Sequence, residues 1–109
     1  MFLASLPIAV GLVVFVEAAG TTPTIDIART CRESEKAVAL VVGDVGGANF
    51  DNCMRQEQAA REVLVKDWAT YPAPDRGRCV APSAYMPSYI EWLTCLENAK
   101  AVRSIPREP

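Results

Sequence analysis

The clearest periodic pattern in the chain lies in residues 49–72, where apolar side chains recur every three or four residues. This spacing puts them on one face of an α-helix. Pro72 and Pro74 stop the pattern, because proline lacks a backbone donor and restricts the residue before it. The pattern predicts a helix of about six turns, and its apolar face consists of Phe50, Cys53, Met54, Ala60, Leu64, Trp68 and Tyr71.

A weaker pattern precedes this helix. Thr24 is a suitable N-cap for a helix that begins at Ile25. Its apolar face would consist of Ile27, Cys31, Val38 and Val42. The β-branched residues in 38–42 leave a short strand as the alternative there, and the glycines in residues 43–49 predict a break in the helix.

The final helix has the clearest start signal. Ser88 and Glu91 form an S-x-x-E capping box, and Lys100 and Arg103 suit the negative C-terminal end of a helix that ends near Arg103. A short helical turn is predicted to begin at Pro74. The predicted fold is therefore all-α: a small disulfide-stapled bundle of three helices plus a short helical turn.

An uncharged apolar run, residues 2–16, opens the chain. Small residues, Val16 and Ala18, precede a cleavage point ahead of Ala19, which predicts a secretory signal peptide at residues 1–18. The alternative is an uncleaved anchor, but a spanning helix needs about 20 apolar residues and this run contains Pro7. We therefore expect a linker at 19–24, one helical domain at 25–103, a flexible tail at 104–109, and a periplasmic or secreted protein without a stable membrane anchor.

Four cysteines lie beyond the predicted signal peptide: Cys31, Cys53, Cys79 and Cys95. An even number in an exported chain predicts two disulfides, and four cysteines allow three connectivities. If the segment after Pro72 descends along the long helix, Cys79 comes level with Cys31 and Cys95 with Cys53. This length argument favours Cys31–Cys79 and Cys53–Cys95.

Composition excludes several kinds of chemistry. The chain has no histidine, so the commonest general base and metal ligand are both missing. With 11 basic and 13 acidic residues and a net charge of −2, it lacks the positive balance typical of a nucleic-acid surface. No G-x-S-x-G motif or calcium-loop spacing occurs. We expect no cofactor, no metal and no catalytic residue.

Glu57 and Arg61 are the most unusual pair on the long helix. Helical geometry puts both close to the centre of the apolar face, and their i, i+4 spacing allows them to pair. They are predicted to form a partly buried ion pair that fixes the helix register or bonds the backbone of another segment. The alternative is a recognition site in a groove.

Four aromatic residues are predicted to form the core between the long and final helices: Trp68, Tyr71, Tyr89 and Trp92. Each helix carries two of them on one face. The alternative is an exposed patch that binds a partner, because tryptophan and tyrosine dominate protein interfaces.

Three short motifs resemble a group of small exported helical proteins of Gram-negative bacteria that have four cysteines and no known function. The motifs are C-M-x-x-E-x-x-A-R from Cys53, W-x-x-Y-P from Trp68 and P-S-Y-x-E-W-x-T-C from Pro87. Residues before Gly47 depart from the group in loop length and helix composition. The resemblance implies an exported, disulfide-linked helical domain, and it transfers no activity because the group has no known function.

These features favour a non-enzymatic exported domain that binds another macromolecule, a protein partner, as an inhibitor, adaptor or envelope-stress factor. One alternative is a carrier of a small apolar ligand, with a cavity walled by Met54, Trp68, Trp92 and Leu96. Another is an acid-stress periplasmic chaperone, in which protonation of Glu57 would release Arg61. Catalysis is the least favoured hypothesis.

Overall fold

The fold was analysed in a computed structural model that describes residues 20–43 and 47–107. The predicted signal peptide, residues 1–18, lies outside the described residues. The regular elements of the described ranges are α1 (Ile27–Val42), α2 (Ala48–Asp67), a 3-10 turn (Trp68–Thr70), α3 (Ala73–Cys79) and α4 (Tyr89–Arg103). The all-α prediction is confirmed, and the strand considered for residues 38–42 is wrong because α1 continues through them.

The start of α1 differs from the prediction by two residues. Asp26, not Thr24, is the N-cap, and its Oδ1 accepts a hydrogen bond from the backbone N–H of Arg29 at 3.1 Å. The backbone N–H of Ile25 instead bonds the Tyr89 hydroxyl at 3.0 Å, which keeps the chain before Asp26 out of the helix. Tertiary contact with α4 thus selects the later of the two capping residues.

α1 and α2 form an antiparallel hairpin. Gly43 ends α1 and Gly47 precedes α2, and both have positive φ, at 85° and 82°, which glycine adopts without steric cost. The Cys31–Cys53 disulfide joins the two helices, with the Cα atoms 5.7 Å apart. Glu35 of α1 also caps α2, because its Oε2 accepts a hydrogen bond from the backbone N–H of Phe50 at 3.2 Å.

α4 runs beside α2 in the same direction. Its first residues meet Glu57, and Glu97 near its end meets Tyr71, which follows α2. The loop before it bonds α1, since the Thr30 hydroxyl donates to the Pro87 carbonyl at 2.8 Å. The core lies between α2 and α4 and consists of Ala60, Leu64, Tyr71, Tyr89, Trp92 and Leu96.

The predicted disulfide pairing, Cys31–Cys79 and Cys53–Cys95, is wrong. The disulfides are Cys31–Cys53 and Cys79–Cys95, with Cα–Cα distances of 5.7 and 5.5 Å. The short helix α3 stays near the C-terminal end of α2 instead of descending along it. Cys95 is about two turns into α4, so it reaches that same end and meets Cys79.

Two disulfides indicate a protein of an oxidising compartment. The predicted linker is tied to the domain where it is described, because the Tyr89 hydroxyl donates to the Pro23 carbonyl at 3.1 Å. Within residues 20–43 and 47–107, no helix has both the length and the apolar character needed to cross a membrane.

Candidate partner-binding groove

Glu57 binds the N-terminal end of α4 from its position on α2. Its carboxylate accepts hydrogen bonds from the Ser88 hydroxyl at 2.6 Å and from the backbone N–H of Tyr89 at 2.8 Å. Ser88 in turn caps α4 by accepting from the backbone N–H of Glu91 at 3.2 Å. The carboxylate therefore satisfies donors at the positive end of the α4 dipole, and only 2% of Glu57 is exposed.

Arg61 does not share this environment. It is exposed, and none of the ion pairs found within residues 20–43 and 47–107 joins it to Glu57. The predicted buried ion pair is wrong, and Glu57 by itself bonds the backbone of another segment, at Tyr89. Burying a guanidinium has a large desolvation cost, and Glu57 already has two donors in α4.

A depression of about 350 Å³, lined by both polar and apolar groups, lies over Glu57, between α1, α2 and the start of α4. Its walls include Ser34 of α1 and two asparagines of α2, Asn49 and Asn52, and the Cys31–Cys53 disulfide borders it through Cys53. The charged residues of the lining are acids, Glu57 and Glu91. This depression therefore has a negative potential and neutral hydrogen-bonding groups at its rim.

An apolar depression of about 370 Å³ continues along the seam between α2 and α4. The small side chains of Ala59 and Ala60 form its α2 side together with Val63. Ile90 and Leu93 form its α4 side, where each is half-buried. The seam is apolar because small residues on α2 leave the larger residues of α4 partly uncovered.

The two depressions share Gln56 and Ile90 and form one surface, which we call the α2–α4 groove. One end of the α2–α4 groove is acidic and the other is apolar. Disulfide Cys31–Cys53 fixes α1 against α2 at the acidic end. Glu57 fixes the start of α4 there. The groove walls are thus held by covalent and buried polar contacts rather than by packing alone.

The four predicted aromatic residues are all buried. Tyr71, Tyr89 and Trp92 lie in the core, and the rings of Tyr89 and Trp92 meet edge-to-face with centroids 5.4 Å apart. Trp68 is also buried, but it lies under the Arg76 guanidinium, whose central carbon is 5.3 Å from the ring centroid. The prediction of an aromatic core is confirmed for Tyr71, Tyr89 and Trp92, whereas Trp68 lies outside this core.

Tyr71 joins the end of α2 to α4 through its hydroxyl, which donates to Glu97 Oε2 at 2.7 Å. Burial, the hydrogen bond to Glu97 and the negative charges of Glu97 and Asp67 together raise the pKa of Tyr71 well above its ordinary value of 10.0. The hydroxyl therefore stays protonated and keeps this contact through the neutral range.

Asp75 holds the other end of α4 and was missed in the sequence. Its carboxylate accepts two hydrogen bonds from Arg103, at 2.7 and 2.8 Å, and one from Arg78 at 2.6 Å. The bonds from Arg103 and the two positive charges hold the pKa of Asp75 below its ordinary value of 3.8, against the opposing effect of burial. The i, i+3 spacing to Arg78 is visible in the sequence, but the Arg103 partner is not.

The groove residues Val63, Ile90 and Leu93 were also missed, because apolar residues at helical spacing ordinarily indicate core. Within the described part of the chain, no group of three or more cysteine, aspartate, glutamate or histidine residues is placed to hold a metal ion. No protein-family model matches the chain, and no curated protein or solved structure is detectably similar to it.

Proposed function

We propose that this protein is a non-enzymatic exported domain that binds a segment of another protein in the α2–α4 groove. The observation that carries the proposal is an apolar trough that continues into an acidic depression on one surface. Export is supported by the two disulfides and by the signal-peptide pattern of residues 1–18. The periplasm and the extracellular space are both oxidising compartments in which disulfides persist.

The lining of the groove supports one kind of partner. Val63, Ile90 and Leu93 favour one or two apolar side chains on the bound segment. Glu57 is shielded by its own hydrogen bonds, so exposed Glu91 supplies the accessible charge for a lysine or arginine. The proposed partner is therefore a protein segment that carries an apolar cluster and, next to it on the same face, a basic residue.

The two alternatives have less support. The carrier needs Trp92 and Leu96 to wall a cavity, but both pack in the core against the other core residues. The acid-triggered chaperone relied on a Glu57–Arg61 pair, and Glu57 bonds α4 instead. A binding surface, by contrast, uses residues that the core leaves partly uncovered.

Val63 and Val65 provide a matched pair for testing the proposal. Both are on α2, and their exposed fractions are 40% and 51%. Val63 lines the α2–α4 groove, whereas Val65 lies outside its lining. A photo-crosslinking amino acid at position 63, in the protein expressed in its source cell, is expected to give one discrete adduct, and the same group at position 65 is expected to give none.

Mass spectrometry of the adduct then identifies the attached segment. The expected segment has apolar residues and a lysine or arginine, and Glu91→Lys is expected to reduce its crosslinking at least tenfold. Equal adducts from both positions, or an attached segment without a basic residue, would contradict the proposal. An adduct between two copies of this chain would instead show self-association through the groove.

A further inference from the structure

A second depression, of about 290 Å³, lies away from the α2–α4 groove, between α3 and the segment before α1. Trp68, Arg76 and Gly77 form part of its lining. The rest is apolar and consists of Pro23, Ala73, Val80 and Pro82. Arg76 is the charged residue of this lining, so the site is electropositive and otherwise apolar.

Two hydrogen-bond donors at this site lack acceptors. Trp68 Nε1 and Arg76 Nε are shielded from solvent and have no hydrogen-bond partner in the described part of the chain. Only 7% of Trp68 is exposed. Leaving a buried donor unsatisfied costs about 1–3 kcal/mol, so an acceptor that reached both groups would gain that free energy.

The acid next to Arg76 in the chain is paired with other arginines, so the Arg76 guanidinium is free to bind a ligand. Asp75 is next to it in the chain, but its carboxylate is bound by Arg78 and Arg103. The Arg76 side chain makes no hydrogen bond or ion pair within residues 20–43 and 47–107, and it lies over the Trp68 ring through a cation–π contact. An arginine side chain has several rotatable bonds, so Arg76 can move on the Trp68 ring and expose these donors to a ligand.

We propose that this depression, the Trp68–Arg76 site, binds a carboxylate attached to an apolar group. A planar carboxylate matches the fork of donors on a guanidinium, and its second contact would be the indole N–H of Trp68. A single guanidinium balances a monoanion, whereas a phosphate dianion would leave one charge unpaired next to Asp75. The apolar walls accommodate the attached group, which is either a free organic acid or the C-terminal residue of a peptide.

The test is a titration of the whole chain with small carboxylate probes, in which nitrogen–proton NMR spectra monitor binding. The probes are hexanoate for a free acid and N-acetylleucine for a peptide C-terminus, with hexanamide and N-acetylleucinamide as neutral controls. We expect the acids to bind with Kd on the order of 1 mM and to move the Trp68 indole resonance. Trp92 is outside this lining and is the internal reference.

Three variants test the assignment. Arg76→Gln is expected to weaken binding at least tenfold. Trp68→Phe, which keeps an aromatic ring but replaces the indole and removes its N–H donor, is expected to weaken it about threefold to tenfold. Arg61→Gln makes the same charge change at an exposed residue outside this lining and is expected to leave Kd within twofold. Far-ultraviolet circular dichroism checks that each variant is folded.

Stronger binding of N-acetylleucine than hexanoate identifies a peptide C-terminus as the ligand, and the reverse identifies a free acid. Equal binding of acids and amides would overturn the proposal, as would a Trp68 resonance that does not move at saturation. Equal losses in Arg76→Gln and Arg61→Gln would assign the effect to overall charge and contradict the proposal, and inorganic phosphate binding more tightly than either acid would also contradict it. Failure here leaves the α2–α4 groove unaffected, since the two sites share no residue.

Discussion

Glu57 is a buried acid whose partners are hydrogen-bond donors rather than a basic side chain. The Ser88 hydroxyl and the Tyr89 backbone N–H both donate to its carboxylate, and the Ser88 hydroxyl oxygen accepts from the backbone N–H of Glu91. One carboxylate thus connects the middle of α2 to the first turn of α4. Its role is to satisfy buried donors, and removing it would leave both of them without an acceptor.

Glu57→Ala is expected to reduce the free energy of unfolding by about 2 kcal/mol, because a buried hydroxyl and a buried N–H lose their acceptor. Arg61→Ala is the matched control on the same helix. It is expected to change stability by less than about 0.5 kcal/mol, since Arg61 is exposed. Urea unfolding at neutral pH measures both, and equal losses would show that Arg61 supports Glu57 after all.

At the scale of elements, an acid of one helix caps another helix in two places. Glu35 of α1 binds the first turn of α2, and Glu57 of α2 binds the first turn of α4. Each carboxylate lies at the positive end of a helix dipole. The far end of α4 is held differently, by the Asp75–Arg103 ion pair. α4 is therefore fixed at both ends by carboxylates from other parts of the chain.

The Asp75–Arg103 contact predicts an acid-sensitive end of α4. The pKa of Asp75 is lowered in the folded protein, so its contribution to stability is fully present above the ordinary value of 3.8 and is lost as pH falls through the lowered folded pKa. Asp75→Asn is expected to be less stable than the parent protein at pH 6 and to approach it in stability as pH falls toward 2. Urea unfolding across this range measures the difference, and a constant difference would contradict the prediction.

At the scale of the whole molecule, the disulfides join neighbouring helices in two pairs. Cys31–Cys53 joins α1 to α2, and Cys79–Cys95 joins α3 to α4. The contact between α2 and α4 is noncovalent and depends on buried residues such as Leu64 and Trp92. The molecule is thus two crosslinked pairs held together by one apolar core, and the α2–α4 groove lies where the pairs meet.

The paired Cys→Ser variants are expected to lose similar amounts of stability. The disulfides span 22 and 16 residues, and the chain-entropy model assigns each about 3 kcal/mol. Chemical unfolding measures the two losses, with the parent protein in its oxidised form as the reference. Peptide mapping of the unreduced protein checks the connectivity, and a Cys31–Cys79 peptide would contradict this structure.

Local signals in the sequence were sufficient to predict the helices. These signals are the apolar residues three and four apart, the prolines after residue 71 and the Ser88 cap. Each depends on neighbours within one or two turns, whose geometry the helix itself fixes. The number of disulfides followed from the count of cysteines in the same way. Position in a helical pattern also put Tyr71, Tyr89 and Trp92 in the core.

Contacts between distant parts of the chain were decided only by the tertiary structure. The position of α3 near the C-terminal end of α2 determines which cysteines pair, and Glu57 accepts from donors on α4 instead of pairing with the nearby Arg61. Asp75 and Arg103 meet across 28 residues, and no periodic pattern marks their contact. The sequence by itself determined the helices and the apolar face of each, because these depend on local backbone geometry. Packing determined the partners, because several arrangements bury the same faces and differ only in which polar groups are satisfied.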